Sequence, residues 1–350
     1  MTPGCMRGIG DVGAFCALHE EGISQQFSGY FGISVGAVEI LFADDPTRGL
    51  GIFSKLTGHN FVKLSQQDLT LRSRQLLSAA TLRAFQVVGT AATSKLAEIT
   101  GYDAVRVGAY LDNQYLSRIL QTEFVPDIDA IRASEKEYRV YYTNARTGRP
   151  QSFDLRKAKT LDEALLHVDA SSRLPFISGK PIMIGGDLLF DGCYSASYPV
   201  HDITERGYNR IVMMLSLHPD DIMESEGEIG RLVDLYARVH ARTSVNAYAE
   251  YRAKLPEIIN EVMSGTITTN TGTSHIRVIH PEKADSKMNP LETDPGKLEE
   301  VFWEGYARGK MFVAQIMREY KQHSDYTSRL ANALGFNNAP VTTVKRLAQG

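Results

Sequence analysis

The sequence is poor in cysteine, carries no strong net charge and has no long apolar run. Each of these lacks removes a class of protein. Three cysteines in 350 residues, Cys5, Cys16 and Cys193, are odd in number and widely spaced, which excludes a disulfide framework and a zinc-finger pattern. With no apolar leader after Met1, a reduced, cytoplasmic setting is the expectation. A formal net charge of −3 leaves no basic footprint for nucleic acid. No apolar stretch approaches the roughly eighteen residues that a membrane-spanning helix needs. There is no H-E-x-x-H or comparably tight ligand cluster, so neither a metal nor an organic cofactor is expected. What remains, at 43% apolar and 23% charged residues, is an ordinary globular composition with enough chain for a large core.

Acidic residues are missing locally as well. Between Asp68 and Glu98 there is no acidic residue, while Arg72, Arg74, Arg83 and Lys95 punctuate an apolar, alanine-rich stretch. It reads as part of a helical insertion over about 50–125 that covers a sheet. The alternative is a basic amphipathic cap in peripheral contact with a membrane.

Elsewhere helical and strand patterns alternate. Residues 12–21 have helical spacing and stop at Gly22, and 27–33 read as a short strand followed by a buried helix from Val35. Hairpins are predicted from 138–143 with 151–155 and from 180–184 with 188–190. Residues 210–217 form a continuous apolar run, as in a strand buried on both faces. Residues 228–262 and 296–321 have helical composition, with a strand at 276–279 between them. The alternation predicts one α/β domain over 1–321 with helices on both sides of one sheet, and a tail over 322–350.

Gly8-Ile-Gly10-Asp-Val-Gly13 matches the dinucleotide fingerprint G-x-G-x-x-G letter for letter. That fingerprint needs a strand before it and an acid about twenty residues after it to hold the ribose. Seven residues are too few for the strand, and Ile33 stands where the acid belongs. A nicotinamide or flavin enzyme is therefore a distant reading.

That later position instead holds Gly32-Ile-Ser34-Val-Gly36. G-x-S-x-G between a strand and a helix is a nucleophile elbow, whose serine sits on a strained turn crowded enough to require Gly32 and Gly36 beside it. A serine needs a base. Of nine histidines, only His275 and His280 come late enough for a Ser-His-Asp order, and neither has a recognisable acid–base context. The other candidate is a carboxylate: Asp191, at a strand end and followed by Gly192 and Cys193.

Taken as an ordered set, these pieces resemble the patatin-like phospholipases. The opening Pro3-Gly4-Cys5-Met6-Arg7-Gly8 is similar to the family's glycine-rich oxyanion loop, Gly32–Gly36 to its elbow, and Asp191-Gly192-Cys193 to its late D-G-[GA]. Thr143–Gly148 and Ala170–Phe176 also resemble family segments. The resemblance implies a three-layer α/β/α patatin-like fold around a central, mostly parallel sheet. It further implies a Ser34–Asp191 dyad that cleaves acyl esters of lipids, with backbone N–H groups over Gly4, Cys5, Met6, Arg7 and Gly8 forming the oxyanion hole and Arg7 bracing the loop or meeting a lipid phosphate.

Two departures fall on that loop. Three successive glycines in the family are Pro3, Gly4 and Cys5 here; proline has no N–H, and cysteine resists positive φ. The family strand that leads into the loop also has no counterpart, so either translation starts further upstream or the sheet lacks an edge of its usual core. An impaired patatin-like protein that binds lipid or a protein partner is the competing expectation.

Overall fold

The computed structural model describes residues 1–57, 60–62, 111–174, 178, 180–222, 242–283 and 288–333, the backbone alone for 242–246 and 323–333. The acid-free stretch, most of the expected insertion, Pro175, Phe176 and residues 334–350 lie outside the described residues.

In chain order the elements begin with α1 (Gly8–Glu20), β1 (Gly29–Ile33), α2 (Val35–Glu39) and α3 (Thr47–Lys55). After the undescribed segment come α4 (Asn113–Thr122), α5 (Ile128–Ala133), β2 (Glu137–Asn144), β3 (Pro150–Asp154) and α6 (Leu161–Ser172). They are followed by β4 (Ile182–Ile184), β5 (Asp187–Asp191), α7 (Val200–Glu205) and β6 (Arg210–Met214). The last are α8 (Arg242–Ser264), β7 (Thr266–Thr269), β8 (Gly272–Ile279) and α9 (Pro295–Ala333). The α/β expectation is met, and β7 is a strand that the sequence pattern did not reveal.

Local chemistry sets these boundaries. Asp112, Asp127 and Thr160 each accept a hydrogen bond from a first-turn N–H of α4, α5 and α6, which satisfies a donor with no partner inside the helix. The β2–β3 turn is closed by Asn144 Oδ1, which accepts from Arg146 N at 2.9 Å and Thr147 N at 3.1 Å. Gly185 and Gly186 turn β4 into β5 with φ of +58° and +90°, the paired positive values of a tight hairpin.

Both sheets are mixed. In the first, β1 pairs parallel with β2, while β3 and β5 pair antiparallel with β2, and β4 with β5. In the second, β6 runs parallel to β8 and β7 antiparallel to it. The run at 210–217 is a strand only to Met214, and its burial alternates, with Arg210 exposed and Val212 half-buried. Residues 1 and 2 tie β1 to the segment that follows β6: the Met1 amine donates to Phe31 O at 2.9 Å, and Thr2 Oγ1 accepts from Ser216 N at 3.2 Å.

The opening glycines have a structural role. Residues 8–18 of α1 are buried all round, as a helix enclosed on every side must be. A Cβ on Gly13 would overlap Phe302 O of α9, one on Gly305 would overlap Gly10 O, and one on Gly309 would come within 2.5 Å of Ala14 O. Gly13 on α1, with Gly305 and Gly309 on α9, therefore lets the two helices approach backbone to backbone. The G-x-G-x-x-G spacing lies inside a helix and follows no strand.

Candidate functional site

The register around β2 brings the two candidate residues together. Residues 139–143 of β2 pair with β3, so β1 and β5 must share the other edge. There Ile33 lies opposite Tyr141 and Asp191 opposite Tyr142. β1 thus ends where β5 ends, and both chains leave the sheet at the same point, one into Ser34 and the other into Gly192. The close approach is visible at Gly192, where a Cβ would stand 2.5 Å from Tyr141 O and 3.0 Å from Ile33 Cγ2.

Ser34 has φ +56° and ψ −123° and is 7% exposed. A non-glycine residue in this region is strained and survives only where its surroundings over-determine it. The expected flanking requirement is present: a Cβ on Gly32 would overlap Gly36 O, and one on Gly36 would come within 2.7 Å of Met1 O. Asp191 is 0% exposed. Its Oδ1 accepts from Cys193 N at 2.8 Å, and its Oδ2 has no hydrogen-bond partner among the described residues. Burial pushes this carboxyl up to about 6, while the Cys193 N–H and the nearby Ser34 hydroxyl draw it partly back. The Ser34 hydroxyl is thus near enough to lower the carboxyl it faces. A buried carboxyl raised toward neutrality beside a strained serine is an arrangement that can pass a proton between the two groups.

The opening turn, a 3₁₀ turn over Cys5–Arg7, lies against the same place. Cys5 takes φ +51°, and it and Ser34 are the two described non-glycine residues with positive φ. Burial pushes its thiol up to about 12, and the neighbouring Asp191 adds to that rise. Of the five residues expected to supply oxyanion donors, Met6 N–H is already given to Pro290 O at 3.1 Å and Arg7 N–H to Gly4 O at 3.1 Å. The N–H groups that close the turn, beginning with Gly8, bond back to Cys5 O and Met6 O. The expectation is thereby narrowed: Gly4 and Cys5 keep N–H groups with no acceptor among the described residues. Arg7 braces the turn as expected, donating from Nε to Met288 O at 2.7 Å, and burial lowers its pKa.

Among the described residues, no histidine takes part in this cluster. His275 is exposed in the middle of β8, and His280 packs edge-on against His218 and donates from Nδ1 to Pro281 O at 2.8 Å. No imidazole among the described residues acts on Asp191. No group of three or more His, Cys, Asp or Glu among the described residues is arranged to hold a metal, and no helix among them is long and apolar enough to cross a membrane.

Three contributors were not found from the sequence. Val35, immediately after the elbow serine, has an N–H with no acceptor among the described residues, and its position alone could have revealed it. Ser171, inside the family-like stretch at 170–176, accepts from Ser34 N at 3.1 Å. The Met288–Pro290 segment, which holds the opening turn through two carbonyls, left no signal. No protein-family model and no curated protein matches the chain.

Proposed function

We propose that this chain is a serine acyl hydrolase of patatin-like type, with the three-layer fold that this implies, acting on acyl esters of lipids at a membrane surface from the cytoplasm. One observation carries the reading: a strained elbow serine whose hydroxyl adjoins a fully buried carboxyl that has one unpartnered oxygen. Asp191 takes the Ser34 proton as Oγ attacks the ester carbonyl. The tetrahedral oxyanion is met by the free N–H groups of Gly4, Cys5 and Val35, and such fixed donors stabilise it best in a site closed to water. Collapse expels the alcohol, which leaves with the proton held on Asp191. Asp191 then deprotonates a water molecule that attacks the acyl ester on Ser34, and the tetrahedral adduct collapses as Asp191 returns that proton to Ser34 Oγ and the carboxylic acid departs.

The test is hydrolysis of a p-nitrophenyl butyrate probe together with labelling by a fluorophosphonate. The wild type is expected to hydrolyse and to label. Ser34→Ala and Asp191→Asn are expected to fall to background while retaining their circular dichroism spectra. Wild-type turnover in either variant would refute the dyad. A folded wild type that neither labels nor hydrolyses would favour the binding-only reading, which Pro3 and the committed N–H groups of Met6 and Arg7 support.

A further inference from the structure

In this register, the parallel ladder between β1 and β2 has a next rung. After Ile33 opposite Tyr141, it would join the Ser34 N–H to the Tyr141 carbonyl. The sharp turn at Ser34 pulls that N–H out of reach, leaving a donor and an acceptor stranded in a buried place where neither can turn to water. The Ser171 hydroxyl, at the C-terminal end of α6, fills the gap. It accepts from Ser34 N at 3.1 Å and donates to Tyr141 O at 2.6 Å, and it is 0% exposed.

Among small side chains, a hydroxyl offers one donor and spare acceptor capacity on a single atom, which is what this broken rung requires. The same Tyr141 carbonyl bounds Gly192 on the base side of the site. One oxygen on α6 therefore ties the elbow, the central strand and the edge of the base loop to a common point. Ser34 Oγ departs from the backbone that this bridge fixes. A change in the bridge lets the strained φ of Ser34 relax toward ordinary values and swings Oγ away from Asp191.

We infer that Ser171 is a positioning residue, which holds the Ser34 elbow in its reactive conformation through a hydroxyl inserted into the β1–β2 ladder. The inference rests on the acyl-hydrolase reading. Its sign is specific. Ser171→Ala should lower kcat and the fluorophosphonate labelling rate by roughly 10- to 100-fold per folded molecule, because a misplaced nucleophile costs steeply in rate. KM should stay within about twofold, since Ser171 meets no substrate. Ser171→Thr keeps the hydroxyl and should restore most of the rate.

The experiment measures kcat, KM and labelling rate for wild type, Ser171→Ala, Ser171→Thr and Ser171→Cys, each normalised to its folded fraction by circular dichroism. Loss in Ala with recovery in Thr supports the role. Wild-type kcat in folded Ser171→Ala overturns it, even if that variant melts earlier, because a purely structural serine would show this result. If Ser171→Ala does not fold, Thr and Cys decide: Thr at least tenfold faster than Cys supports the role, and equal rates overturn it. An inactive, unlabelled wild type overturns the acyl-hydrolase reading and the inference with it, an outcome distinct from an active wild type indifferent to Ser171.

Discussion

Asp191 should reduce the stability of this protein at neutral pH, and by an amount that depends on pH. An aspartate free in solution titrates near 3.8, whereas burial places this one at about 6. The folded state therefore holds its proton more tightly than the unfolded chain. Protonated Asp191 contributes stability that is complete below pH 3.8 and is lost as pH rises through about 6. The gap of about two pKa units corresponds to roughly 3 kcal/mol.

Asp191→Asn removes the titration and keeps the Oδ1 that accepts from Cys193 N–H. Its amide nitrogen takes the place of an oxygen that has no partner, so the substitution carries its own offset. That offset does not depend on pH. Urea unfolding of wild type and Asp191→Asn at pH 4 and pH 7.5 isolates the titrating part. The variant should gain about 2–3 kcal/mol on the wild type between those two conditions. The other buried acids, Asp11 and Glu39, titrate in both proteins and cancel. A difference that stays within about 1 kcal/mol across the range would refute the argument. In the active wild type, kcat/KM should rise with an apparent pKa near 6, the group printed on the stability curve.

Two further outcomes follow from buried strain and buried charge. Because Cys5 holds φ +51°, Cys5→Gly should leave esterase kcat within about threefold, whereas β-branched Cys5→Val should cost about 1–2 kcal/mol in urea unfolding; equal stability of the two variants would count against a strained turn. His167, buried between the rings of Tyr142 and Phe153, is pushed down to about 4 by burial. Its folded pKa lies below the ordinary 6.5, so the stability it contributes as a neutral group is lost as pH falls from about 6.5 to 4, by up to about 3 kcal/mol. His167→Gln should flatten that acid limb in denaturation curves, and an unchanged limb would assign it elsewhere.

The parts of this molecule that were legible in the sequence are those governed by neighbours in the chain. The elbow could be read because Gly32 and Gly36 flank Ser34 in one pentapeptide, and the hairpins because Gly148, Gly185 and Gly186 sit at turns that demand positive φ. The α1 glycines misdirect for the opposite reason: their partners, Gly305 and Gly309, lie almost three hundred residues away, so a helix crossing looks like a nucleotide loop. The opening turn was half legible. Pro3 could be excluded as a donor from its chemistry alone, but the loss of Met6 and Arg7 N–H depends on Pro290 O and Gly4 O, which only the folded chain brings within reach. Ser171 was invisible for a similar reason. Its position in α6 is ordinary, and its meaning comes from a rung broken on another strand.

The placement of strain gives the site its strongest internal argument. Ser34 and Cys5 hold backbone angles that their side chains disfavour, and Asp191 holds a carboxyl where charge is disfavoured. Each alone would be an unremarkable cost at a scattered position. Here all three converge at the point where β1 and β5 end on β2, and each is held from outside: Ser34 by Ser171, the Cys5 turn by Met288 and Pro290, Asp191 by Cys193. A fold selected for stability alone would use glycine at 5 and an apolar residue at 191. Retaining the costly choice at each position, together with the bonds that enforce it, fits a site in which the strained conformations are the ones that react.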